Sequence, residues 1–271
     1  MAQLKAVSYT PLELSKRNIL LLVLFGIFLS NALMAEVLGV KIFSLEAFLG
    51  VKPAQITLFG DFVLDFNLTA GVVLWPVVFI TTDVINEYFG KKGVRQISFL
   101  TAGLIAYMFL VIVVLTDLPP AQFWIDVNSV DRDGNLFNID SAYNTIFLQG
   151  LGIIIGSLLA FLIGQLVDVA AFQYLRKFTG SSKIWLRATG STLISQLIDS
   201  FVVLGVAFYV FGNWSLKQVI AVGIINYIYK FFVAVVLTPL LYVVHHFIDK
   251  YLGKELSDKM TESAATSGFT G

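Results

Sequence analysis

Long apolar runs, separated by short charged connections, set the pattern of this chain. About 20 predominantly apolar residues cross a bilayer. Six stretches meet that length: 18–40, 70–89, 97–117, 146–174, 189–211 and 216–246. Each predicts a membrane-spanning helix. The first is longer than the apolar core of a signal peptide. Its small-residue segment, Ala32-Leu33-Met34-Ala35, lacks the A-x-A spacing of a cleavage site, so it too reads as a span.

Between the first two runs the period changes. From residue 56 to 68 the even positions are Ile, Leu, Gly, Phe, Leu, Phe and Leu. The odd positions are Thr57, Phe59, Asp61, Val63, Asp65 and Asn67. A period of two predicts a strand with one apolar face. With residues 41–49 and a turn around 50–53, it predicts a short extracytoplasmic β-hairpin over the outer mouth. Residues 117–145 read as a polar, acidic loop. Asp131-Arg132-Asp133-Gly134-Asn135 has the start of a calcium loop, but the twelfth position, where the liganding Glu belongs, is Ala142. A turn at Asp133-Gly134 is the reading adopted. The tail from 255, rich in Ser, Thr, Gly and charge, predicts disorder.

Charge orients the spans, because basic residues gather on the cytoplasmic side. With both termini inside, the cytoplasmic set is Lys5, Lys16, Arg17, Lys91, Lys92, Arg95, Arg176, Lys177, Lys183, Arg187, Lys250, Lys254 and Lys259, which is 13 of 18. Only Lys41, Lys52, Arg132 and Lys217 fall outside, and Lys230 lies within the last span. The expected fold is an all-α membrane protein: a six-transmembrane-helix bundle, N-in and C-in, with the hairpin between helices 1 and 2. Residues 1–17 form a cytoplasmic N-terminal segment, 18–246 the transmembrane domain and 247–271 a partly disordered cytoplasmic tail.

Composition agrees and excludes several functions. Hydrophobic residues make up 57% and charged residues 13%, against roughly 25% charged in a soluble domain. A net charge of zero leaves no basic surplus for nucleic acid. There is no cysteine, and the only histidines are His245 and His246, which read as solvated at the inner boundary. No G-x-S-x-G or H-E-x-x-H motif occurs, so the chain does not read as an enzyme. No cofactor is implied. It has no Walker A sequence, so any ATPase would be a separate protein.

The informative residues are the polar ones inside the spans. A charge at the bilayer centre costs roughly 2.5–3.5 kcal/mol on insertion scales. The chain nevertheless keeps Glu36, Asp83, Glu87, Asp168, Asp199 and Lys230. Asp83, Asn86 and Glu87 share one helix face at i, i+3 and i+4. Asp83 lies eight residues before Lys91, about 12 Å from the inner boundary. Pro76 frees a backbone carbonyl in the same span, as in broken transporter helices. Gln165-Leu166-Val167-Asp168 is echoed by Gln196-Leu197-Ile198-Asp199. Helical rise places the two acids about 12 and 18 Å from the inner boundary on helices of opposite sense. Both can therefore approach one cavity. Asn226 and Lys230 are again i and i+4. Lys230 is about 21 Å deep, too deep to snorkel, and needs Asp83, Asp168 or Asp199 as partner. Glu36 and Glu87 sit near span ends and read as interfacial first. Ser30-Asn31 reads equally as polar glue between helices or as a ligand contact.

The run Trp75-Pro76, Thr81-Thr82-Asp83, Asn86-Glu87 and Gly90, followed by Arg95, resembles the signature of the queuosine precursor transporter family. So do Gly164-Gln165 with Asp168, Trp185 through Ser191-Thr192 to Asp199, Tyr227 with Lys230, and Pro239. Ser30-Asn31 also fits, and the resemblance runs from about 18 to 246. It implies uptake, across a bacterial inner membrane, of a 7-deazapurine: preQ0, preQ1 or queuine. A carboxylate such as Asp83, Asp168 or Asp199 can accept the paired N–H groups of a guanine-like edge. Asn31, Asn86, Gln165, Gln196 and Asn226 can read its other atoms, Glu87 shares the helix 2 face, and Trp75, Phe79 and Tyr227 offer stacking faces. Lys230 could hold the acids ionised or polarise a carbonyl. The expected partners are this small molecule and the bilayer. The sequence leaves open whether the chain acts alone, as a homo-oligomer, as the membrane subunit of an ATP-driven complex, or on another small polar solute.

Overall fold

The computed structural model describes residues 9–39, 41–60, 62–148, 151–179, 183–210 and 213–267. Residues 1–8 of the N-terminal segment and 268–271 of the tail lie outside them. Helix α1 (Pro11–Leu38) starts seven residues before the expected span. Thr10 and Glu13 form a capping box and Pro11 occupies its first turn, so the chain winds before its apolar stretch begins.

The segment after α1 differs from the single hairpin expected. It contains β1 (Ile42–Ser44), α2 (Leu45–Leu49), β2 (Ile56–Leu58), β3 (Phe62–Leu64) and β4 (Asn67–Thr69). β1 pairs antiparallel with β4, Phe43 opposite Leu68, and β2 pairs with β3, Thr57 opposite Val63. The run 56–68 is not one strand. Phe59 and Gly60, at φ 54° and 77°, turn it back on itself. Residues 45–49 are helical because Ser44 caps the start, and left-handed Gly50 ends the helix where the turn was expected. The Glu46 carboxylate ties this cap together. It accepts hydrogen bonds from the Phe66 N–H at 2.7 Å, the Ala54 N–H at 3.4 Å and the Ser44 hydroxyl at 3.2 Å. These bonds, the Phe66 N–H foremost, hold its carboxyl below the usual carboxylate range.

Helix α3 (Trp75–Thr116) opens on a short 3-10 turn, Ala70–Val73. Pro76 therefore sits in its first turn, where a missing N–H is harmless, and frees no carbonyl inside the helix. At Gly90 the backbone takes φ 71° and ψ −176°, a region open essentially to glycine alone. The chain reverses there. Thr82 and Ser98 would stand about 24 Å apart on a straight helix. Both hydroxyls instead donate to one atom, Gln165 Oε1, at 3.3 and 3.4 Å. The arms 75–89 and 91–116 thus lie side by side.

Residues 117–145 are more ordered than a loop. They hold α4 (Gln122–Val127) and the start of α5 (Ile139–Phe147), joined by edge packing of Trp124 on Tyr143. Between them Asp131 accepts the Asp133 and Asn135 N–H groups, and Gly134 takes φ 84°, a tight turn. Helices α6 (Leu151–Thr179), α7 (Ile184–Leu204) with its π extension Gly205–Val210, and α8 (Leu216–Leu252) complete the bundle. Gly223 lets α8 meet α7 closely. A Cβ there would stand 2.5 Å from the Phe201 ring.

Five helices among the described residues are long and apolar enough to cross a membrane. The exterior is apolar, with Leu22, Leu110, Phe232 and Val236 all exposed. That is a lipid-facing surface. Inside, Phe28 and Ala32 of α1 pack with Val78 and Ile85 of α3 and with Phe161 and Phe172 of α6. The tail expected to be disordered instead forms α9 (Lys254–Ser267), which buries Leu256 and Met260 in the same core. Its composition is polar, but four buried positions, Leu256, Ser257, Met260 and Ala264, recur at helical spacing on one face.

Candidate functional site

Among the described residues, two neighbouring cavities within the bundle gather its polar side chains. The larger, about 560 Å³, reaches from the β1–β4 cap into the space between α3, α6, α7 and α8. Its polar wall carries Glu36, Gln165, Gln196, Asp199, Asn226 and Lys230. Its apolar wall carries Trp75, Phe79 and Phe161. Trp75 stacks on Phe79 at 6.0 Å and tilts against Phe161 at 5.9 Å. The smaller cavity, about 70 Å³, is lined by Asp83, Thr189, Thr192 and Thr238. Trp75, Phe79, Gln196, Tyr229 and Lys230 belong to both cavities and so form the partition between them.

Lys230 finds its partner in Asp199, Nζ to Oδ2 at 2.5 Å. Asp199 is thus the acid that answers this half-buried lysine. Glu36, read as interfacial, is buried and faces the larger cavity, where the Ser157 hydroxyl donates to its carboxylate at 2.6–2.7 Å. It lies near the end of an apolar run, but that end faces the cavity beneath the cap rather than the outer surface.

Several expected site residues lie elsewhere. Asn31 donates to the Ile27 carbonyl one turn back and lines neither cavity. Asn86 is fully buried and accepts from Gln173 Nε2 at 2.6 Å. Glu87 is held by Arg187 in a fork, Nε to Oε2 at 3.1 Å and Nη2 to Oε1 at 2.7 Å, with Arg176 at 3.6 Å. Asp168 is buried in the α6–α7 wall, 3.3 Å from Ser195 Oγ. Tyr227 lines neither cavity, whereas Tyr229 lines both. The echo of Gln-x-x-Asp therefore delivers Gln165, Gln196 and Asp199 to the larger cavity, but not Asp168.

The residues that composition did not single out are Arg176, Arg187 and His245. Both arginines counted as cytoplasmic loop charges, yet Arg187 is only 1% exposed. The signal was Glu87, a buried acid that required a cation at the same depth. Arg176 also donates to the Thr261 carbonyl of α9 at 2.7 Å. His245, expected to be solvated, is buried and stacks on Tyr88, whose hydroxyl donates to Asp249 at 2.7 Å. Ser257 of α9 donates to the same carboxylate at 2.6 Å. The end of the bundle holding these groups is thus closed by ion pairs and by α9.

An apolar helical exterior around a polar, partly charged cavity defines a membrane protein built to hold a polar solute. The model of the family described as "Putative vitamin uptake transporter" matches residues 69–244. A protein of Bacillus subtilis (strain 168) described as "Probable queuosine precursor transporter" is 32% identical over 65% of this chain and 72% of its own length. A Haemophilus influenzae protein with the same description is 28% identical over 64% and 66%. The "Queuosine precursor transporter" of Escherichia coli (strain K12) is 25% identical over 73% and 80%. No solved structure matches the chain. The chain belongs to the queuosine precursor transporter family, whose members are transporters and not enzymes. The family match covers the α3, α6, α7 and α8 walls of both cavities and begins after Glu36 and most of the cap.

Proposed function

We propose that this chain imports queuosine precursors, 7-deazapurines such as preQ0, preQ1 or queuine, across the bacterial inner membrane. The carrying observation is the larger cavity. It joins an aromatic wall to a row of amides and carboxylates in a chain of this family. A purine-sized ring fits the usual volume of a ligand pocket, roughly 300–1,000 Å³. Trp75 and Phe79 supply the stacking face. Glu36 and Asp199 are carboxylates on the bundle helices in reach of a guanine-like edge, and Gln165, Gln196 and Asn226 supply amides that both donate and accept.

In this reading the bundle crosses the membrane six times, with both termini inside. The two arms of α3 are separate crossings joined at Gly90. The basic residues Lys91, Lys92 and Arg95 beside Gly90 support placing that turn on the cytoplasmic side. The cap of 42–69 then lies outside, over the open end of the cavity. Glu87, Arg187, Arg176 and α9 close the inner end.

The test uses purified protein and tryptophan fluorescence, which Trp75 reports from the cavity wall. Expected are quenching by at least one 7-deazapurine and affinity about tenfold weaker or worse in Asp199→Asn. Loss of one charge-assisted hydrogen bond is worth roughly 1.5–3 kcal/mol. Absence of any response to all three bases by folded protein would contradict the reading.

A further inference from the structure

Three acids of the bundle, the buried Glu36 and Glu87 and the half-buried Asp199, have an answering group. Asp199 has Lys230, Glu87 has Arg187 and Arg176, and Glu36 has Ser157. Two others retain a buried oxygen that no donor meets: Oδ1 of Asp83 on α3 and Oδ2 of Asp168 on α6. Asp168 is only 1% exposed, and the two carboxyls are electrostatic neighbours. The charged groups around Asp83 are Glu87 from its own arm, Asp168 from α6, Arg187 from α7 and, across the smaller cavity, Lys230 from α8.

The surroundings of Asp168 can accept an O–H as well as donate to a carboxylate. Ser191, Thr192 and Ser195 of α7 lie against it. Each hydroxyl has one hydrogen. That of Ser195 meets the Thr192 carbonyl at 3.0 Å, closer than Asp168 Oδ1 at 3.3 Å. That of Ser191 meets the Ala188 carbonyl at 3.1 Å. With the two serine hydrogens used on the backbone, Thr192 is left to donate to the carboxyl, the serine hydroxyls offer lone pairs, and a hydrogen on the otherwise unmet Asp168 Oδ2 can bond to one of them. Access is through Asp83, which lines the smaller cavity beside Gln196 and Lys230, residues shared with the larger one.

We propose that Asp83 and Asp168 form a single proton-binding site, and that the proton held there is the coupling ion of import. The proposal rests on the importer reading. A proton arriving from the larger cavity passes the Lys230–Asp199 pair, binds Asp83 and is shared with Asp168. It leaves as H⁺ on the other side, so no other reactant is required. Gln196 and Lys230 line both cavities and link solute binding to proton binding.

The test uses the full chain in proteoliposomes. Counterflow of labelled preQ0, preQ1 and queuine without any gradient tests the importer reading alone. A pH gradient, acid outside and with no membrane potential, is then imposed. One proton per uncharged solute predicts about tenfold accumulation per pH unit, together with acidification of the interior when solute is added outside. Asp83→Asn and Asp168→Asn, checked for parent-like thermal unfolding, are expected to abolish both the accumulation and the acidification. Counterflow that is indifferent to the pH gradient, or driven instead by a sodium gradient, overturns the proposal and leaves the importer reading standing. No counterflow by folded protein overturns both. Full gradient-driven accumulation by both variants overturns the assignment to these residues. Where a variant fails to fold, the parent's response to the gradient decides.

Discussion

At the scale of single residues, two ion pairs carry different duties. Lys230 stands in the partition between the cavities and Asp199 beside it on the wall of the larger one, with side chains 25% and 20% exposed. Removing either partner leaves a desolvated charge, at a cost of roughly 1–3 kcal/mol. Lys230→Met and Asp199→Asn should each lower the unfolding temperature and uptake. The double variant should regain much of the stability but none of the uptake, a difference that thermal unfolding and transport read separately. Glu87 is a closure residue. Glu87→Gln leaves the buried Arg187 without a counter-charge and should cost about 3–5 kcal/mol, seen as a large fall in unfolding temperature at unchanged pH. The Lys230 requirement was legible in the sequence, because a lysine so deep in an apolar run must find an acid. The arginines were not. Positive charge next to a span end reads as loop, and only the packing of α6 and α7 against α3 brings Arg176 and Arg187 inward.

At the scale of elements, Gly90 and Glu46 set local shape. Any side chain at Gly90 meets a backbone region costing about 1–3 kcal/mol to occupy. Gly90→Ala should therefore reduce folded yield and unfolding temperature by that measure, whereas Gly103→Ala, with nothing within 4 Å of its Cβ, should not. Glu46 makes the cap sensitive to acid. Its carboxyl is held below the ordinary value of 4.5. Its stabilisation is thus complete above that value and lost as pH falls through the lower folded one. Hydrogen exchange of the Phe66 and Ala54 amides should lose protection between about pH 5 and 3, and Glu46→Gln should show the same loss near neutral pH. Helix runs were legible from hydropathy. The reversal at 59–60 was not, since alternating polarity continues through Gly60 and reads as one strand. Nor was α9: its polar composition outweighs a buried face of only three apolar residues until Arg176, Asp249 and Glu13 are seen to hold it through Thr261, Ser257 and Lys259.

At the scale of the whole molecule, the larger cavity reaches the cap, while Glu87, Arg187 and α9 pack together away from it, an arrangement that suits a solute entering from the cap side. Sequence spacing brought Gln165, Gln196, Asp199, Asn226 and Lys230 to that cavity, because depth within a helix is readable at 1.5 Å per residue. Helix rotation is not readable that way. Hence Tyr229, not Tyr227, lines the wall, and Asp168 turns into the α6–α7 contact. The importer reading is tested most directly in cells that can neither make queuosine nor import its precursors. This chain is expressed there, each 7-deazapurine is supplied in turn, and queuosine in transfer RNA is measured. Queuosine should return with at least one base and disappear with Lys230→Met at equal membrane level. Transfer RNA that stays free of queuosine with every base, while the parent chain fills the membrane, would contradict the account.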